Sequence, residues 1–464
     1  MSKINVINEN EALQILNAAL STGADFAEIF MEDTTHDHQQ MTKGKVNNVS
    51  TSIERGASIR ITKGATTASA NTNNLNFEVL LNLAKKVASN FEGEQVLFVK
   101  EFTDNTNEKV VKINEERIWE SGLKLMEDAT KGAFDYSKEV VQVVSNLVRD
   151  NQHIKVYASD GTFATDHRIH NRLSVNVAAS DGVNMESSSN SYGKSMAMDM
   201  YDGFDAYKMG QETAATAVRT LHAEEMVGGE IPVVIHNGFG GVILHEACVH
   251  SLEATSVAKG MSVFCGKLGT KVASDIVNAV DTGIDEGAWG SMNVDDEGTP
   301  TRRNVLIENG ILKSYLVDKR NSKIMNHPIT SSSRRQNYKL LPTSRMTNTY
   351  FLPGTNTLEE IIANTKYGLF ASKLGGGSVQ PATGEFNFAV NEGYLIEDGK
   401  ITRPVKGATL VGSGKDVLLR IDMIADNLDF GFGMCGSQSG SIPTIVGQPT
   451  IRVSHMTVGG KGTK

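Results

Sequence analysis

The fold of the second half of this chain is decided by two hairpin sequences, VLIENGILKSYLVD at 305–318 and YLIEDGKITRPV at 394–405. In each, an Asn-Gly or Asp-Gly pair separates two segments of alternating apolar and polar residues, which is the strongest short-range signal of a β-hairpin. Further short strands such as ATLVGSG at 408–414 surround them, and helical periodicity is expected only at about 241–255 and 358–366. The sequence therefore predicts a mostly-β domain, barrel-like or sandwich-like, over residues 228–464.

The first half of the chain shows both helical and strand periodicity. Apolar residues at helical spacing predict helices at 11–20, 77–87, 115–132, 136–148 and 210–221. Alternating segments predict strands at 26–31, 46–53, 56–61, 65–70, 154–158 and 172–179. The polar segment at 187–205 is expected to be a loop or an edge strand. Residues 1–227 are thus predicted to form an N-terminal α/β domain with an antiparallel sheet, in a chain of the α+β class.

Composition and charge exclude several classes of protein. The chain has 464 residues, of which 39% are hydrophobic and 21% charged, as in ordinary folded proteins. Asp and Glu outnumber Lys and Arg by 54 to 45, which is the opposite of the balance that nucleic-acid binding favours. We expect no membrane association, because no apolar stretch approaches the roughly 20 residues of a spanning helix and the start does not read as a signal peptide. With only three cysteines, we expect a reducing compartment, by default the cytoplasm.

The motif with the clearest chemistry is HEACVH, from His245 through Glu246 to His250. In the HExxH zinc motif, two histidines four residues apart share a helix face and the glutamate polarises a metal-bound water. The spacing here is five, which places the two histidines about 140° apart on a regular helix. They can bind one ion only if the helix is distorted, and a one-residue π-bulge would restore a common face. The alternative is that they flank a helix that merely packs.

A catalytic zinc site needs three protein ligands and one open position. Cys435, in the glycine-rich turn DFGFGMCGSQSG, is a candidate for the third ligand. Cys248 is the rival thiol, and we expect both it and Cys265 to be packed in the core. Glu253 follows His250 by one helical turn and is placed to support that histidine from behind.

These segments resemble the TldD/PmbA family, also called the modulator of DNA gyrase family, and within it the TldD-type subunit. The resemblance covers most of residues 235–464 and rests on HEACVHSLE, MNVDDEGTPTRRNVLIENGILKSYLVDK, SRRQNY, SRMTNTY, YGLFASKLGGGSVQPATGEFNF, GMCGSQSGSIPTIVGQPT and the closing VGG. RGASIRITKGATTASANTNN in the first half is a looser match.

The resemblance implies a zinc metallopeptidase that cleaves unfolded or flexible peptides. It implies one Zn²⁺ per chain on His245, His250 and Cys435, with Glu246 as the general base that takes a proton from a zinc-activated water. It also implies a homodimer, or a heterodimer with a PmbA/TldE-type companion subunit. Within the motif, this chain has Cys248, Val249 and Ser251 at positions where the family usually has a small residue or glycine. The chain therefore lacks a glycine at the point where the helix must bulge.

Substrate capture and oxyanion stabilisation are less defined by the sequence. Gly375-Gly376-Gly377 permits close approach of a substrate backbone and predicts capture by β-augmentation, although a flexible loop is the alternative. Arg345 and Tyr338 are candidate oxyanion stabilisers, but a surface salt bridge for the arginine and an ordinary strand tyrosine are the favoured interpretations.

The remaining signals favour structural roles. GSGK at 412–415 lacks the full phosphate-loop pattern, Arg334-Arg335 is expected to be a solvated basic spot, and His327 and His455 stand alone. The acidic triplet at 295–297 is expected to be a turn, with cation binding as the alternative.

Two alternative functions stay open. One is a different zinc hydrolase such as a peptide deformylase, against which the chain length argues. The other is a non-catalytic peptide-binding or assembly subunit with a structural or vestigial metal site. The intact Glu246 favours catalysis, because a purely structural zinc needs no base.

Overall fold

The computed structural model describes residues 4, 6–107, 109–380 and 382–462. In the first half, the helices are α1 Glu9–Leu20, α2 Phe77–Ala88, α3 Leu123–Tyr136 and α4 Ala206–Leu221. The strands are β1 Phe26–Thr42, β2 Lys45–Lys63, β3 Thr66–Thr72, β4 Thr103–Asp104, β5 Val140–Ala158, β6 Thr162–Ser180 and β7 Met185–Lys194. Short 3₁₀ turns lie at Glu115–Arg117 and Met198–Tyr201.

These strands form one long sheet in the order β3-β2-β1-β5-β6-β4, with β7 also paired to β6. The pairs are antiparallel except for β4 with β6, which is parallel. Helices α1 and α2 pack on one end of a face of this sheet, in a core that includes Ile29. Helices α3 and α4 pack on the other end of the same face, in a separate core that includes Leu147. The opposite face of the sheet carries charged residues, including Glu28 and Arg168, and packs against the second half of the chain.

Two of the helices predicted in the first half differ from the structure. The helix predicted at 136–148 is wrong, because most of this segment belongs to strand β5. Val143 and Leu147 are four residues apart, which fits a helix, but Ser145 and Arg149 are buried on the same side and reveal a period of two. The helix predicted at 115–132 is a 3₁₀ turn followed by α3, which begins only after Gly122. Residues 187–194 of the segment 187–205 belong to edge strand β7, and an edge strand was one of the two structures predicted for this segment.

In the rest of the chain, the helices are α5 Val242–Ala247, α6 Ala254–Val257, α7 Lys319–Met325, α8 Leu358–Ala363 and α9 Gly414–Arg420. The strands are β8 Glu224–Glu225, β9 Gly229–Ile235, β10 Ala279–Thr282, β11 Arg303–Glu308, β12 Ile311–Leu312, β13 Ser333–Arg334, β14 Thr343–Ser344, β15 Asn348–Phe351, β16 Tyr367–Gln380, β17 Glu385–Glu397, β18 Lys400–Lys406, β19 Thr409–Ser413, β20 Ile421–Ile424, β21 Asp429–Ser437, β22 Gly440–Gln448 and β23 Ile451–Gly459. Short 3₁₀ turns lie at Phe239–Gly241 and Val249–Leu252.

Both predicted hairpins are present. Asn309-Gly310 joins β11 to β12 and Asp398-Gly399 joins β17 to β18, and all four residues have the positive φ that such turns require. Strands β16, β9, β23, β19 and β17 pair in a closed ring, because β17 pairs back to β16. The second half is therefore a β-rich, barrel-containing region, and the predicted α+β class is confirmed.

A second sheet, in the order β12-β11-β10-β15-β22-β21, packs against this barrel. Helix α5 lies between the two, in contact with β15 and β22 of the sheet and with β16 and β17 of the barrel. Its residues Ile243 and Leu244 are fully buried in the largest core of the molecule. This position puts the helix that carries the HEACVH motif beside the edge strand β21.

The two halves of the chain meet through buried ion pairs. Arg335 lies 2.5 Å from Glu28, and Arg60 lies 2.7 Å from Glu28 and 2.6 Å from Glu297. The predicted solvated basic spot at Arg334-Arg335 is therefore wrong, since both side chains are buried. The acidic triplet at 295–297 does form a turn, with Gly298 at positive φ, but Glu297 pairs with arginine and is buried.

The division into domains at 1–227 and 228–464 stays a prediction. Among the described residues, no helix is long and apolar enough to cross a membrane.

Candidate metal centre and active site

Two glycines hold helix α5 in place at its ends. A Cβ atom at Gly241 would lie 2.5 Å from the backbone nitrogen of Gly447, and one at Gly414 would lie 1.7 Å from the carbonyl oxygen of Ala247. Only glycine allows β22 and α9 to approach the helix this closely. The GSGK segment at 412–415 thus has a packing role, in agreement with its missing phosphate-loop pattern.

The helix is interrupted inside the motif, as the five-residue spacing requires. Helix α5 ends at Ala247, Cys248 adopts φ −124° and ψ −61°, and a 3₁₀ turn begins at Val249. The distortion is a break followed by a tighter turn, so the expected one-residue π-bulge is wrong. None of residues 248–251 has a positive φ, so the glycine that this chain lacks is not needed for the observed backbone.

The break brings the two histidines together with the predicted third ligand. The rings of His245 and His250 lie 4.8 Å apart at 88° to each other. Cys435 Sγ, on strand β21, lies 3.2 Å from His245 Nε2 and 3.3 Å from His250 Nε2. These three residues have donor atoms within 4.8 Å of one another and could hold a metal ion.

The charges around these atoms suit a cation. Burial opposes ionisation of Cys435, but His245 and His250 lower the pKa of its thiol from 9.0 to about 3, so the sulfur is a thiolate at neutral pH. Burial also opposes a charge on His250, yet the carboxylate of Glu253 raises the pKa of this imidazole well above 6.5. The chain by itself therefore balances the thiolate with a proton on His250, and a bound cation would replace that proton.

The two sulfur–nitrogen distances are close to those around a bound metal ion. Tetrahedral zinc with ordinary bond lengths separates a sulfur and a nitrogen ligand by about 3.5 Å. The two observed sulfur–nitrogen distances need to change by only about 0.3 Å or less to reach that value. Two imidazoles and a thiolate are the donor types that zinc prefers.

The two glutamates predicted to act beside the ligands, Glu253 as a support and Glu246 as the general base, lie close to them. Glu253 Oε1 is 3.2 Å from His250 Nδ1, where the helical spacing had placed it. Glu246 Oε2 is 3.6 Å from His250 Nε2, and its side chain is 23% exposed. The glutamate of the motif is thus beside the donor atoms and open to solvent.

The donor atoms and Glu246 line a cleft of about 630 Å³ between strands β16 and β21. Segment 376–379 of β16 and segment 433–437 of β21 form two of its sides. The flexible loop considered as the alternative for Gly375-Gly376-Gly377 is wrong, because these residues belong to β16 and form a bulge opposite β17. Sequence reasoning did not anticipate Ser378 and Gln438 in the lining. Both lie in segments that carry the family resemblance, but neither side chain is a usual metal ligand or general base.

Other predicted candidates lie outside this cleft. Cys248 is buried in the core as expected, and its burial raises the pKa of its thiol to about 12. Cys265 is only half-buried, with Sγ 3.6 Å from the carbonyl oxygen of Val257. Tyr338 packs in a small core with Phe30, at the contact between the two halves of the chain.

Arg345 is neither exposed nor part of the cleft lining. Its side chain is fully buried, so the surface salt bridge considered for it is wrong. The guanidinium donates to the carbonyl oxygen of Cys435 at 2.5 Å. This contact places Arg345 against the backbone of the candidate ligand Cys435, outside the cleft lining.

A cleft that combines two imidazoles, a thiolate and an adjacent carboxylate is typical of a metal-dependent hydrolase. Three domain descriptions of one family match consecutive parts of the chain: PmbA/TldA metallopeptidase domain 1 at 27–91, the central domain at 108–221 and the C-terminal domain at 228–460. The chain belongs to this PmbA/TldD metallopeptidase family, as the resemblance indicated, and is a hydrolase.

Individual relatives agree with this assignment. The metalloprotease TldD homolog of Haemophilus influenzae is 35% identical over 460 residues, which cover 97% of this chain and 95% of the relative. The zinc metalloprotease TldD homolog of Saccharolobus solfataricus is 30% identical over 263 residues, which cover 56% of this chain and 58% of the relative. The crystal structure of TldE from Thermococcus kodakarensis has the same fold, with a TM-score of 0.77 and 17% identity over 97% of this chain and 99% of that one.

Proposed function

We propose that this chain is a zinc-dependent peptidase that hydrolyses peptide bonds in unfolded or flexible polypeptides. The observation that carries the proposal is the convergence of His245, His250 and Cys435 at the wall of a cleft that also exposes Glu246. A structural metal site would be closed by a fourth protein ligand and would need no carboxylate beside it. The name of the Saccharolobus solfataricus relative supports zinc as the metal.

In this proposal His245, His250 and Cys435 hold one Zn²⁺ per chain. Bound zinc supplies Lewis acidity, which polarises the scissile carbonyl group and lowers the pKa of the attacking water. The thiolate of Cys435 neutralises part of the cation's charge. Glu253, 3.2 Å from His250 Nδ1, keeps the other ring nitrogen, Nε2, directed at the cation.

Glu246 acts as the general base. Its carboxylate lies beside the donor atoms and faces the cleft, so it can accept a proton from the attacking water and later deliver it to the leaving amine. Replacement of Glu246 by Gln keeps the shape of the side chain and removes its basicity. The cleft itself would still bind metal and peptide.

We propose that the substrate adds as a strand to an open sheet edge. Strand β16 pairs with β9 only over Leu369–Ala371, so the segment 376–380 has β17 as its partner on one side and the cleft on the other. Strand β21 is the edge strand of its own sheet and borders the same cleft. Both edges offer backbone hydrogen-bonding groups, which bind an extended peptide with little regard to its side chains. Folded proteins lack such a free extended segment.

The test measures zinc content and cleavage of an unstructured peptide mixture in the same preparations. The wild type should contain one zinc per chain, and His245→Ala and Cys435→Ala should lose both zinc and cleavage. Glu246→Gln should keep zinc and lose cleavage, while Cys265→Ser, a thiol outside the cleft, should keep both. Unchanged turnover in Glu246→Gln would contradict the mechanism.

A wild-type chain without zinc would support the alternative, a non-catalytic peptide-binding or assembly subunit with a vestigial site. Zinc-loaded wild type that leaves every peptide intact would support the same alternative with a structural metal. The expected homodimer, or heterodimer with a PmbA/TldE-type companion, and the cytoplasmic location stay predictions.

A further inference from the structure

Arg345 is the largest fully buried side chain among the described residues. It follows strand β14 and lies behind the candidate metal centre. A buried guanidinium is costly unless its charge and its donors are satisfied. The partners of Arg345 therefore indicate why an arginine is kept at this position.

The guanidinium binds both sides of the turn that follows Cys435. Nη2 donates to the carbonyl oxygen of Cys435 at 2.5 Å. Nη1 donates to Ser439 Oγ at 2.8 Å and to the carbonyl oxygen of Gly440 at 3.0 Å. These bonds join the end of β21 to the start of β22 and fix the backbone that carries the thiolate.

The same guanidinium faces the carboxylate behind His250. Arg345 Nε lies 3.8 Å from Glu253 Oε1, and Glu253 Oε1 lies 3.2 Å from His250 Nδ1. In the described part of the chain, Arg345 Nε is buried without a hydrogen-bond partner, and it faces the same carboxylate oxygen that lies against the imidazole. The carboxylate oxygen of Glu253 thus lies between the guanidinium and the imidazole.

We propose that Arg345 is a positioning residue of the metal centre, which couples the backbone of Cys435 to the imidazole of His250 through Glu253. The inference rests on the proposed metal site and assigns this arginine a part in metal affinity. It replaces the oxyanion role considered from the sequence, since the guanidinium is fully buried and does not line the cleft. Only arginine has a planar fork of donors that can reach all three acceptors and the carboxylate at once.

Four variants test this assignment. Arg345→Met removes the charge and the donors at similar length, and Arg345→Lys keeps the charge but can reach only part of the acceptors. Glu253→Gln removes the carboxylate. Arg334→Met is the matched control, because Arg334 is also buried and also donates to two backbone carbonyls, those of Met346 and Pro443, without contacting Glu253 or Cys435.

The measurements are the zinc dissociation constant, by competition with a chromophoric chelator, and the absorption spectrum of the Co²⁺-loaded protein, which reports ligand geometry. Arg345→Met should weaken zinc binding by roughly 10–100-fold and change the Co²⁺ spectrum, as is usual when a group behind a ligand is lost. Arg345→Lys should show a smaller change in the same direction. Arg334→Met should keep the wild-type affinity and spectrum.

A double variant tests the route through Glu253. If Arg345 acts through this carboxylate, the double variant Arg345→Lys/Glu253→Gln should lose less zinc-binding free energy than the two single variants lose in sum. Additive losses would overturn the coupling. This comparison also tests the role of Arg345 if Arg345→Met does not fold, because it uses only Arg345→Lys and Glu253→Gln.

Wild-type affinity and an unchanged Co²⁺ spectrum in Arg345→Lys would overturn the inference, and so would an equal loss in Arg334→Met. A wild-type chain that binds neither Zn²⁺ nor Co²⁺ would refute the proposed function instead. The two failures are therefore distinguishable.

Discussion

His245 Nε2 and Cys435 Sγ lie 3.2 Å apart, although 190 residues separate them in the chain. One atom belongs to the short helix α5 and the other to the edge strand β21. The two elements meet because α5 is buried between the barrel and the second sheet, and β21 lies at the border of that sheet. The candidate metal centre therefore depends on the packing of the whole second half, and changes remote from the ligands should affect it.

Gly414→Ala should destabilise the protein and weaken metal binding. The new Cβ would lie 1.7 Å from the carbonyl oxygen of Ala247, so helix α5 or α9 must move. Overpacking of this kind costs about 1–3 kcal/mol of unfolding free energy. Urea denaturation and zinc affinity would be compared with those of Gly229→Ala, where the nearest atom is 3.9 Å from the added Cβ. A stability equal to that of wild type would contradict the close contact.

Glu28→Gln should strongly weaken the contact between the two halves. Glu28 is fully buried and pairs with Arg60 and Arg335, and Arg335 has no other carboxylate within ion-pair distance among the described residues. Breaking a buried pair costs about 3–5 kcal/mol, because the remaining charge is left without compensation. Lys112→Met, at the exposed pair with Glu286, should change the unfolding free energy little. Equal effects of the two variants in denaturant titrations would disprove the structural role of Glu28.

His170 should make the protein less stable in mild acid. Burial lowers the pKa of this histidine from 6.5 to about 4. Because the pKa in the folded state is the lower one, the unfolded chain takes up the proton first as the pH falls. The contribution of neutral His170 is therefore lost progressively between pH 6.5 and pH 4, by up to about 1.4 kcal/mol per pH unit.

His170→Gln should flatten the fall in unfolding free energy over this range, as measured by denaturant titrations at a series of pH values. His455→Gln, at an exposed histidine, should leave the slope unchanged. A slope in His170→Gln as steep as that of wild type would show that other groups cause the acid sensitivity.

Backbone methylation of a peptide substrate should reveal how it binds. An added strand uses the N–H and C=O groups of every second residue against one edge. N-methylation at successive positions should therefore raise KM in an alternating pattern, whereas side-chain replacement at the same positions should have little effect. A strong dependence on side chains with no response to methylation would contradict strand addition to β16 or β21.

Local sequence patterns predicted much of the fold, and their failures have a common cause. The hairpins at Asn309-Gly310 and Asp398-Gly399 were predictable because their turn residues favour positive φ irrespective of the surroundings. The segment 136–148 was not, because Val143 and Leu147 fit both a helix and a strand. Tertiary packing resolved this ambiguity by burying Ser145 and Arg149 on the same side of the sheet.

The burial of charged residues could not be predicted from the sequence. Arg335 and Arg345 read as ordinary surface arginines, and only the folded chain reveals that both are fully buried among carboxylates and carbonyl groups. A charged side chain carries no local signal of burial, since its partners lie far away in the sequence: Arg335 and Glu28 are 307 residues apart.

By itself, the sequence determined the β-rich second half, the need for a distorted helix between His245 and His250, and the set of candidate ligands. Those features follow from turn propensity, helix geometry and donor chemistry, which are local. The tertiary structure alone decided how the helix is broken, that Cys435 meets both imidazoles, and that Arg345 lies behind them. Those outcomes depend on contacts between distant segments, because α5 is closely packed between the barrel and the second sheet.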